Sequence, residues 1–280
     1  MSRLCLLLSK SCVSHNVDLI ILCENVFVSN RRLDNKKWQK IYRFLQLTPS
    51  IYTGNEEKVR TFVEGVYWIM RTGAPWRDLP EKFGKWNSVF SRFANWSDKD
   101  VWEQMHEHFI DEPDMEWLLI DSTVTRAHPC AAGAPHKQGG QAAQALGKSV
   151  GGFSTKIHVT VDALGNPLRL ILTGGQANDA PQGINLLKGF DFEAAMADRA
   201  YDTNDIVNFI LENEAQVVIP SKKNRTVQRD TDWFLYKERH LVECFIGRIK
   251  HYRRIFTRYE KYATRYMAFL SFASALIWLQ

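Results

Sequence analysis

Three acids and a run of cations in this 280-residue chain have the types and spacing to perform chemistry. Asp121 follows the apolar run Trp117-Leu118-Leu119-Ile120, Asp198 follows Ala194-Ala195-Met196-Ala197, and Glu243 lies within the segment YKERHLVECFIGRIK that begins at Tyr236. At ~100° per residue, a helix there places Tyr236, Arg239, Glu243 and Lys250 within an arc of roughly 60°. Leu241, Val242, Phe245 and Ile249 fall on the opposite side. A carboxylate flanked by a phenol and two cations suits a metal ion shared with a polyanion, the arrangement phosphodiester chemistry needs. A solvated face with i,i+4 charge pairs is the plainer reading of the same residues. Three carboxylates from separate elements can converge on two Mg²⁺ ions, with Mn²⁺ as a workable substitute, because such ions take hard oxygen ligands and leave positions for water and phosphate. A pair of ions activates the attacking oxygen and stabilises the leaving one.

Each acid also has a structural use. Asp121 precedes Ser122 and Thr123 and suits a turn; Asp198 suits a pair with Arg199 or a cap for a helix beginning near Asn204. Asp202 competes with Asp198, but the strand-end position favours Asp198. His128 and Cys130 could be two ligands of a metal site, yet no second pair has suitable spacing. His128 and His158 could pass protons, with structural hydrogen bonding as the alternative.

The elements that must position these residues change character along the chain. From Asp34 to Ile110 the apolar residues recur at helical spacing: Trp38, Ile41, Tyr42 and Leu45; Val59, Phe62, Val63, Val66 and Met70; Trp86, Val89, Phe90 and Phe93; and, after a cap at Ser97 and Asp98, Val101, Trp102, Met105 and Phe109. Gly73 and Pro75 end the second stretch. Short helices joined by such turns suit a helix-turn-helix arrangement. Six of nine tryptophans lie here and read as core anchors, because most sit on the apolar stripes. Arg71, Arg77, Lys82, Lys85 and Arg92 gather near the turns, where they can meet phosphates.

From Glu116 the pattern becomes strand and helix. Trp117 to Ile120 reads as a strand buried on both faces and ending at Asp121. The Gly- and Ala-rich stretch from Ala131 to Gly152 reads as a loop, Phe153 to Val161 and Leu168 to Leu172 as a hairpin. A helix opened by Pro181, a strand to Asp198, a helix from Asn204 to Leu211, a strand at Val217 to Ile219, the Tyr236 helix and an apolar C-terminal helix complete the order.

Composition bounds the rest. A 45% hydrophobic chain of this length buries a sizeable core. The net charge of +5 is modest, but residues 222–261 hold twelve Lys or Arg against five acids. Lys222, Lys223, Arg225 and Arg229 can line a DNA path, or form a solvated loop. Five cysteines without a CxxC pair argue against a disulfide framework or zinc ribbon and fit a reducing cytoplasm. No apolar run approaches the ~18 residues of a membrane span. Residues 1–30 differ from the rest and read as a poorly structured extension, consistent with a mis-assigned start.

The blocks around these acids resemble the DDE transposases of bacterial insertion sequences, in particular those similar to insertion sequence 5. The spacing Y-x2-R-x3-E-x6-K is filled by Tyr236, Arg239, Glu243 and Lys250. Ile120-Asp121-Ser122-Thr123 with Arg126 and His128, Gly151-Gly152-Phe153 with Lys156-Ile157-His158, and Ala197-Asp198-Arg199-Ala200-Tyr201-Asp202 look like the blocks around the family's first two acids. Arg71-Thr72-Gly73-Ala74-Pro75-Trp76-Arg77-Asp78-Leu79-Pro80 looks like its amino-terminal block. Val150 departs from the pattern, standing where many members carry a basic residue.

The resemblance implies an α/β fold: an RNase H-like catalytic domain, a mixed sheet with flanking helices, over residues 113–280. An all-α, helix-turn-helix-like domain over residues 31–112 would precede it and read terminal inverted repeats. It implies Mg²⁺-dependent hydrolysis at transposon ends and attack of the freed 3′-OH on target DNA. Asp121, Asp198 and Glu243 would be the metal ligands. Tyr236, Arg239 and Lys250 would meet double-stranded DNA near the scissile phosphate, Arg by forked bonds and Lys as a point charge. The expected enzyme is a homodimer or larger on paired ends, cytoplasmic and nucleoid-associated, with no membrane partner. A silent DNA-binding descendant, or a nuclease that does not join strands, are the competing functions.

Overall fold

The structure is a computed structural model that describes residues 33–135, 139–149 and 151–280. The extension inferred for residues 1–30, and Val150, lie outside the described residues. Four helices open the described chain: α1 (Asn35–Leu47), α2 (Glu56–Thr72), α3 (Trp86–Asp98) and α4 (Val101–Phe109). Their apolar stripes are those the sequence spaces out except on α3, where the expected Trp86 and Phe90 are exposed and Trp96 is buried beside Val89 and Phe93. Trp38, Ile41, Phe44 and Leu45 are buried on α1, and Val59, Phe62, Val63, Val66, Ile69 and Met70 on α2. Asp34 and Asn55 cap the two N-termini by accepting from Lys37 and Lys58 N–H. Gly73 ends α2 in the left-handed region at φ 68°, where a Cβ would be strained and would meet the Arg253 side chain at 3.0 Å. The expected cap at Ser97 and Asp98 is replaced: both residues finish α3, Ser97 is buried and donates to the Phe93 carbonyl at 2.8 Å, and Asp100 leads into α4 without a side-chain cap.

The sheet follows: β1 (Trp117–Ala127), β2 (Gly147–Ser149), β3 (Gly152–Val161), β4 (Pro167–Gly174), β5 (Ala194–Met196), β6 (Gln216–Val218) and β7 (Thr257–Arg258). β3 runs antiparallel between β1 and β4, while β5 is parallel to β1 and β6 parallel to β5. Setting aside the short β2 and β7, the spatial order is third, second, first, fourth, fifth, with the first three antiparallel and the last two parallel to the first. That topology is RNase H-like, and with the helices around it the fold is mixed α/β.

β1 does not end at Asp121. It continues to Ala127 because Ser122, Thr123, Val124, Thr125 and Arg126 pair with β3 down to Ser154, and β-branched residues suit that half-covered ribbon. What ends near Asp121 is the parallel pairing with β5, whose last partners are Leu119 and Met196. β1 regains a neighbour on that edge only at Arg126, opposite Thr257 of β7. Neither β7 nor β2 was expected, and β2 corrects the reading of the Gly- and Ala-rich stretch as loop alone.

Period-two alternation divides the sheet into two faces. Leu119, Ile157, Val159, Val161, Met196 and Val218 face α7 (His240–Lys250), α8 (Ala263–Trp278) and the opening helices in one core. Leu118, Ile120, Ala195, Ala197 and Ile219 face α5 (Ala180–Leu187) and α6 (Asn204–Glu212) in another. α8 is apolar around its circumference, as expected of a helix enclosed on all sides; Phe269 and Phe272 meet Phe93 and Trp102 at ring distances of 4.6 and 4.9 Å. None of the described helices is long and apolar enough to cross a membrane.

Part of the basic stripe is spent on this packing. Arg254 is buried, pairs with Glu260 at 2.6 Å and donates to the Ala74 carbonyl at 3.1 Å. Arg258, fully enclosed, donates to the carbonyls of Gln144, Ala145 and Glu260. These cations tie the Gly73–Ala74 turn and the Gln144–Ala145 segment to the C-terminal region, so they are not available to phosphate.

Candidate active site

Three elements carry the candidate acids. Asp121 is on β1 at the point where β5 has stopped pairing, and it shares a sheet face with Leu119, which packs toward α7. Asp198 follows β5 by two residues and caps the single helical turn Arg199–Tyr201, its Oδ1 accepting the Ala200 N–H at 2.8 Å. The helix beginning at Asn204 is capped instead by Thr203, so Asp198 caps a different element from the one expected, and that turn fixes its carboxylate.

Glu243 is on α7. The Trp233–Tyr236 turn, a tighter turn over Lys237–Arg239 and α7 follow one another with right-handed helical backbone at each junction. Val242, Phe245 and Ile249 are buried, so the opposite face turns outward as the spacing requires. Tyr236 is half-buried, its ring edge-on to Trp233 at 5.5 Å.

Arg239 joins two of the acids. Its Nη1 donates to Asp121 Oδ2 at 2.8 Å and its Nη2 donates to Glu243 Oε1. Burial alone would lower the guanidinium's pKa, but Asp121, Glu243 and Tyr236 together raise it. Burial pushes the Asp121 carboxyl up; the Ser122 N–H and Arg239 pull it down, and the Asp198 charge adds to the rise. Lys250 donates from Nζ to Thr123 Oγ1 at 2.5 Å, one residue pair beyond Asp121 on the same face. Burial holds its ammonium below the ordinary value, partly offset by Asp121.

Among the described residues no three His, Cys, Asp or Glu side chains lie close enough together to hold one ion. The donor set nevertheless fits a hard cation in chemistry: two carboxylates, Asp121 and Glu243, held by one guanidinium, and a third, Asp198, whose charge reaches Asp121. Glu243 is 55% exposed at its side chain.

The loop cations divide. Asp202, buried, accepts from Arg225 Nε at 2.7 Å, from the Lys222 N–H at 2.7 Å and from Arg229. Arg225 also donates to Asn204 Oδ1 at 2.8 Å. Asp202 is therefore a latch for the segment after β6, while Lys223 is exposed. In the opening helices, Arg77 lies over Trp86, Lys82 over Phe83, and Arg92 over Phe62 and Trp96. His128 accepts the Cys130 N–H at 3.2 Å and stacks on Tyr259 at 5.2 Å, a structural pairing.

Sequence reasoning missed Asp179 and the cluster it gathers on the other face of β1. Ser122 Oγ donates to Asp179 Oδ1 at 2.5 Å, Lys156 Nζ pairs with the same oxygen at 3.0 Å, and His158 Nδ1 stands 3.7 Å from it. The buried Tyr201 phenol lies among Asp179, Asp121 and Asp198. Ser122 stands next to an acid, and Asp179 precedes a Pro-opened helix. No spacing rule brings them together across 57 residues.

Residues 33–106 match the family described as "Putative transposase of IS4/5 family", and residues 112–278 match "Transposase DDE domain". The chain is similar to the "Putative transposase for insertion sequence element IS6501" of Brucella ovis, 43% identical over 130 residues, which is 46% of this chain and all of that protein. It is also similar to the corresponding IS402 protein of Burkholderia cepacia, 32% identical over 135 residues, 44% of this chain and 62% of that one. Among solved structures it is similar to a piggyBac transposase synaptic complex with hairpin DNA at 14% identity and a TM-score of 0.40, covering 74% of this chain and 51% of that one.

Proposed function

The chain belongs to the DDE transposase family of bacterial insertion sequences, and from that premise we propose that Asp121, Asp198 and Glu243 hold two Mg²⁺ ions for cutting and joining transposon ends. The observation that carries the reading is the shared guanidinium of Arg239, which draws an acid from β1 and an acid from α7 to one place, with Asp198 close enough to raise the Asp121 pKa. When bound, divalent ions of this kind supply Lewis acidity to the attacking and leaving oxygens of the phosphodiester.

The chain's own residues do the rest. In this reading Arg239 leaves the carboxylates for the scissile phosphate, offering two parallel N–H groups, and its departure frees Asp121 and Glu243 as ligands. Lys250, which reaches from α7 to Thr123 on β1, gives a point charge beside the same phosphate. Tyr236 and Lys223 continue the DNA path. Lys222 can reach it with its side chain, because only its backbone N–H is spent on Asp202. Arg225 contributes by fixing that segment rather than by direct contact. Residues 31–112 would recognise double-stranded transposon ends, residues 113–280 would carry the chemistry, and two copies would pair the ends at the nucleoid.

Glu243→Gln tests the proposal with little risk to folding, since the side chain is largely exposed. With Mg²⁺ and an end-bearing duplex, the variant is expected to give neither cleaved nor joined product while still shifting the duplex on a gel. Wild-type rates in the variant would remove Glu243 from the site. Cleaved but unjoined product from the wild type would leave a nuclease of the same fold.

A further inference from the structure

We propose that Asp179 is a positioning residue that sets the separation of Asp121 and Asp198 from behind the sheet, through Ser122 on one side and Tyr201 on the other. The inference rests on the metal-binding reading of those two acids and adds residues to it.

The ladder between β1 and β5 stops at Leu119 and Met196. Asp121 lies two residues past that point and Asp198 two residues past its partner, so no backbone bond between the two strands fixes their spacing. Something else must. Ser122 alternates to the face opposite Asp121, toward α5, where Asp179 stands immediately before the helix. Its hydroxyl donates to Asp179 Oδ1 at 2.5 Å. Asp179 is held in turn by Lys156 at 3.0 Å, and Lys156 is anchored to the Ala177 carbonyl at 2.7 Å.

The second contact runs to the Asp198 side. Gly183 of α5 has no side chain where a Cβ would meet Ile206 at 2.5 Å and Tyr201 at 3.3 Å, so the helix led by Asp179 closes on Tyr201. Tyr201 is 1% exposed, and its hydroxyl is buried with no hydrogen-bond partner. It ends the helical turn that Asp198 caps. A buried hydroxyl without a partner normally costs stability, and its retention among three carboxylates fits a spacer whose ring sets a distance. Asp179, Ser122 and Tyr201 therefore bridge the two strand ends where the sheet has stopped bridging them.

The test is Mn²⁺ affinity of the full, DNA-free chain, by calorimetry or by the free-ion electron paramagnetic resonance signal, with the melting temperature recorded in parallel. Ser122→Ala and Asp179→Ala are each expected to weaken Mn²⁺ binding by roughly 10- to 100-fold, the usual effect of losing a residue that orients a metal ligand. The double variant should be no weaker than the worse single one, because both remove the same link. Ser122→Thr keeps the hydroxyl on a β-branched residue suited to a strand and should retain wild-type affinity. Lower melting temperatures with Mn²⁺ affinity unchanged in both alanine variants would overturn the inference and leave a merely structural cluster. Asp121→Asn serves as the reference: loss of Mn²⁺ there without loss in Ser122→Ala overturns the positioning role alone. Unchanged Mn²⁺ binding in Asp121→Asn overturns the metal reading and this inference together.

Discussion

In the proposed site Arg239 is the residue on which the chemistry turns, because one guanidinium cannot satisfy two carboxylates and a phosphate at once. While it bridges Asp121 and Glu243 it neutralises the charge that the proposed divalent cation would need. Arg239→Gln should therefore tighten Mn²⁺ binding in the DNA-free chain by about tenfold, the effect of about 1.4 kcal/mol, while weakening attachment to transposon-end DNA. Calorimetry with Mn²⁺ alone checks the first half, and unchanged or weaker Mn²⁺ binding would contradict it. Lys250 poses a simpler question. If its ammonium turns from Thr123 to a phosphate, Lys250→Ala lowers end affinity across sequences and makes the plot of log affinity against log salt shallower by about one. An unchanged slope would leave Lys250 as a strut for β1. The helical face bearing these residues was legible in the sequence, since 3.6-residue periodicity sorts Arg239, Glu243 and Lys250 from Val242, Phe245 and Ile249. The partners were not legible: Arg239 meets Asp121 across 118 residues and Lys250 meets Thr123 across 127.

Among the elements, the segment after β6 gives its cations a structural use that composition does not announce. Arg225 and Arg229, read from sequence as a DNA path or a solvated loop, both close on Asp202. Burial would raise the Asp202 pKa, but the Arg225, Lys222 N–H and Arg229 contacts outweigh it and hold the carboxyl at about 2. Because the folded value lies below the unfolded one, near 3.9, the latch contributes its full stability above about pH 4 and loses it as pH falls through about 2. Asp202→Asn should cost roughly 1.5–3 kcal/mol at neutral pH and flatten the stability curve between pH 4 and 2, as denaturant titrations would record. A curve that keeps its acid slope would contradict the latch. β1 teaches the complementary lesson. A run buried on both faces is easy to read as a strand, but its continuation through Ser122–Ala127 depends on pairing with β3, and no local pattern announces that partner.

At the scale of the whole molecule, the opening helices and the sheet share one core, with α8 between them. The Pro167 carbonyl records the joint, accepting from Trp278 Nε1 at 2.8 Å and bonded to His106 Nε2 at 2.9 Å. Burial lowers the His106 pKa to about 4, with the Pro167 bond only partly opposing it. The neutral ring is thus favoured in the fold, so this stability is complete above about pH 6.5, the unfolded value, and declines as pH falls toward 4. His106→Gln should reduce the pH slope of stability in that window without abolishing it, because His158 is lowered to about 4 as well; an unchanged slope would mean His106 is hydrated. The order of helices, hairpin and strands was readable from periodicity and turn residues. The docking of the Arg71–Pro80 block onto Arg253 and Arg254 was not, because it joins segments 180 residues apart. In the proposed reading this packing sets Asp121 and Asp198 where the β1–β5 pairing stops, with Glu243 on the helix beside them, and Asp121→Asn tests that reading most directly. With Mg²⁺ and a duplex carrying the transposon end, the full-length variant is predicted to bind the end as the wild type does and to release no cleaved strand. Cleavage at the wild-type rate, or loss of end binding in step with loss of cleavage, would contradict the account.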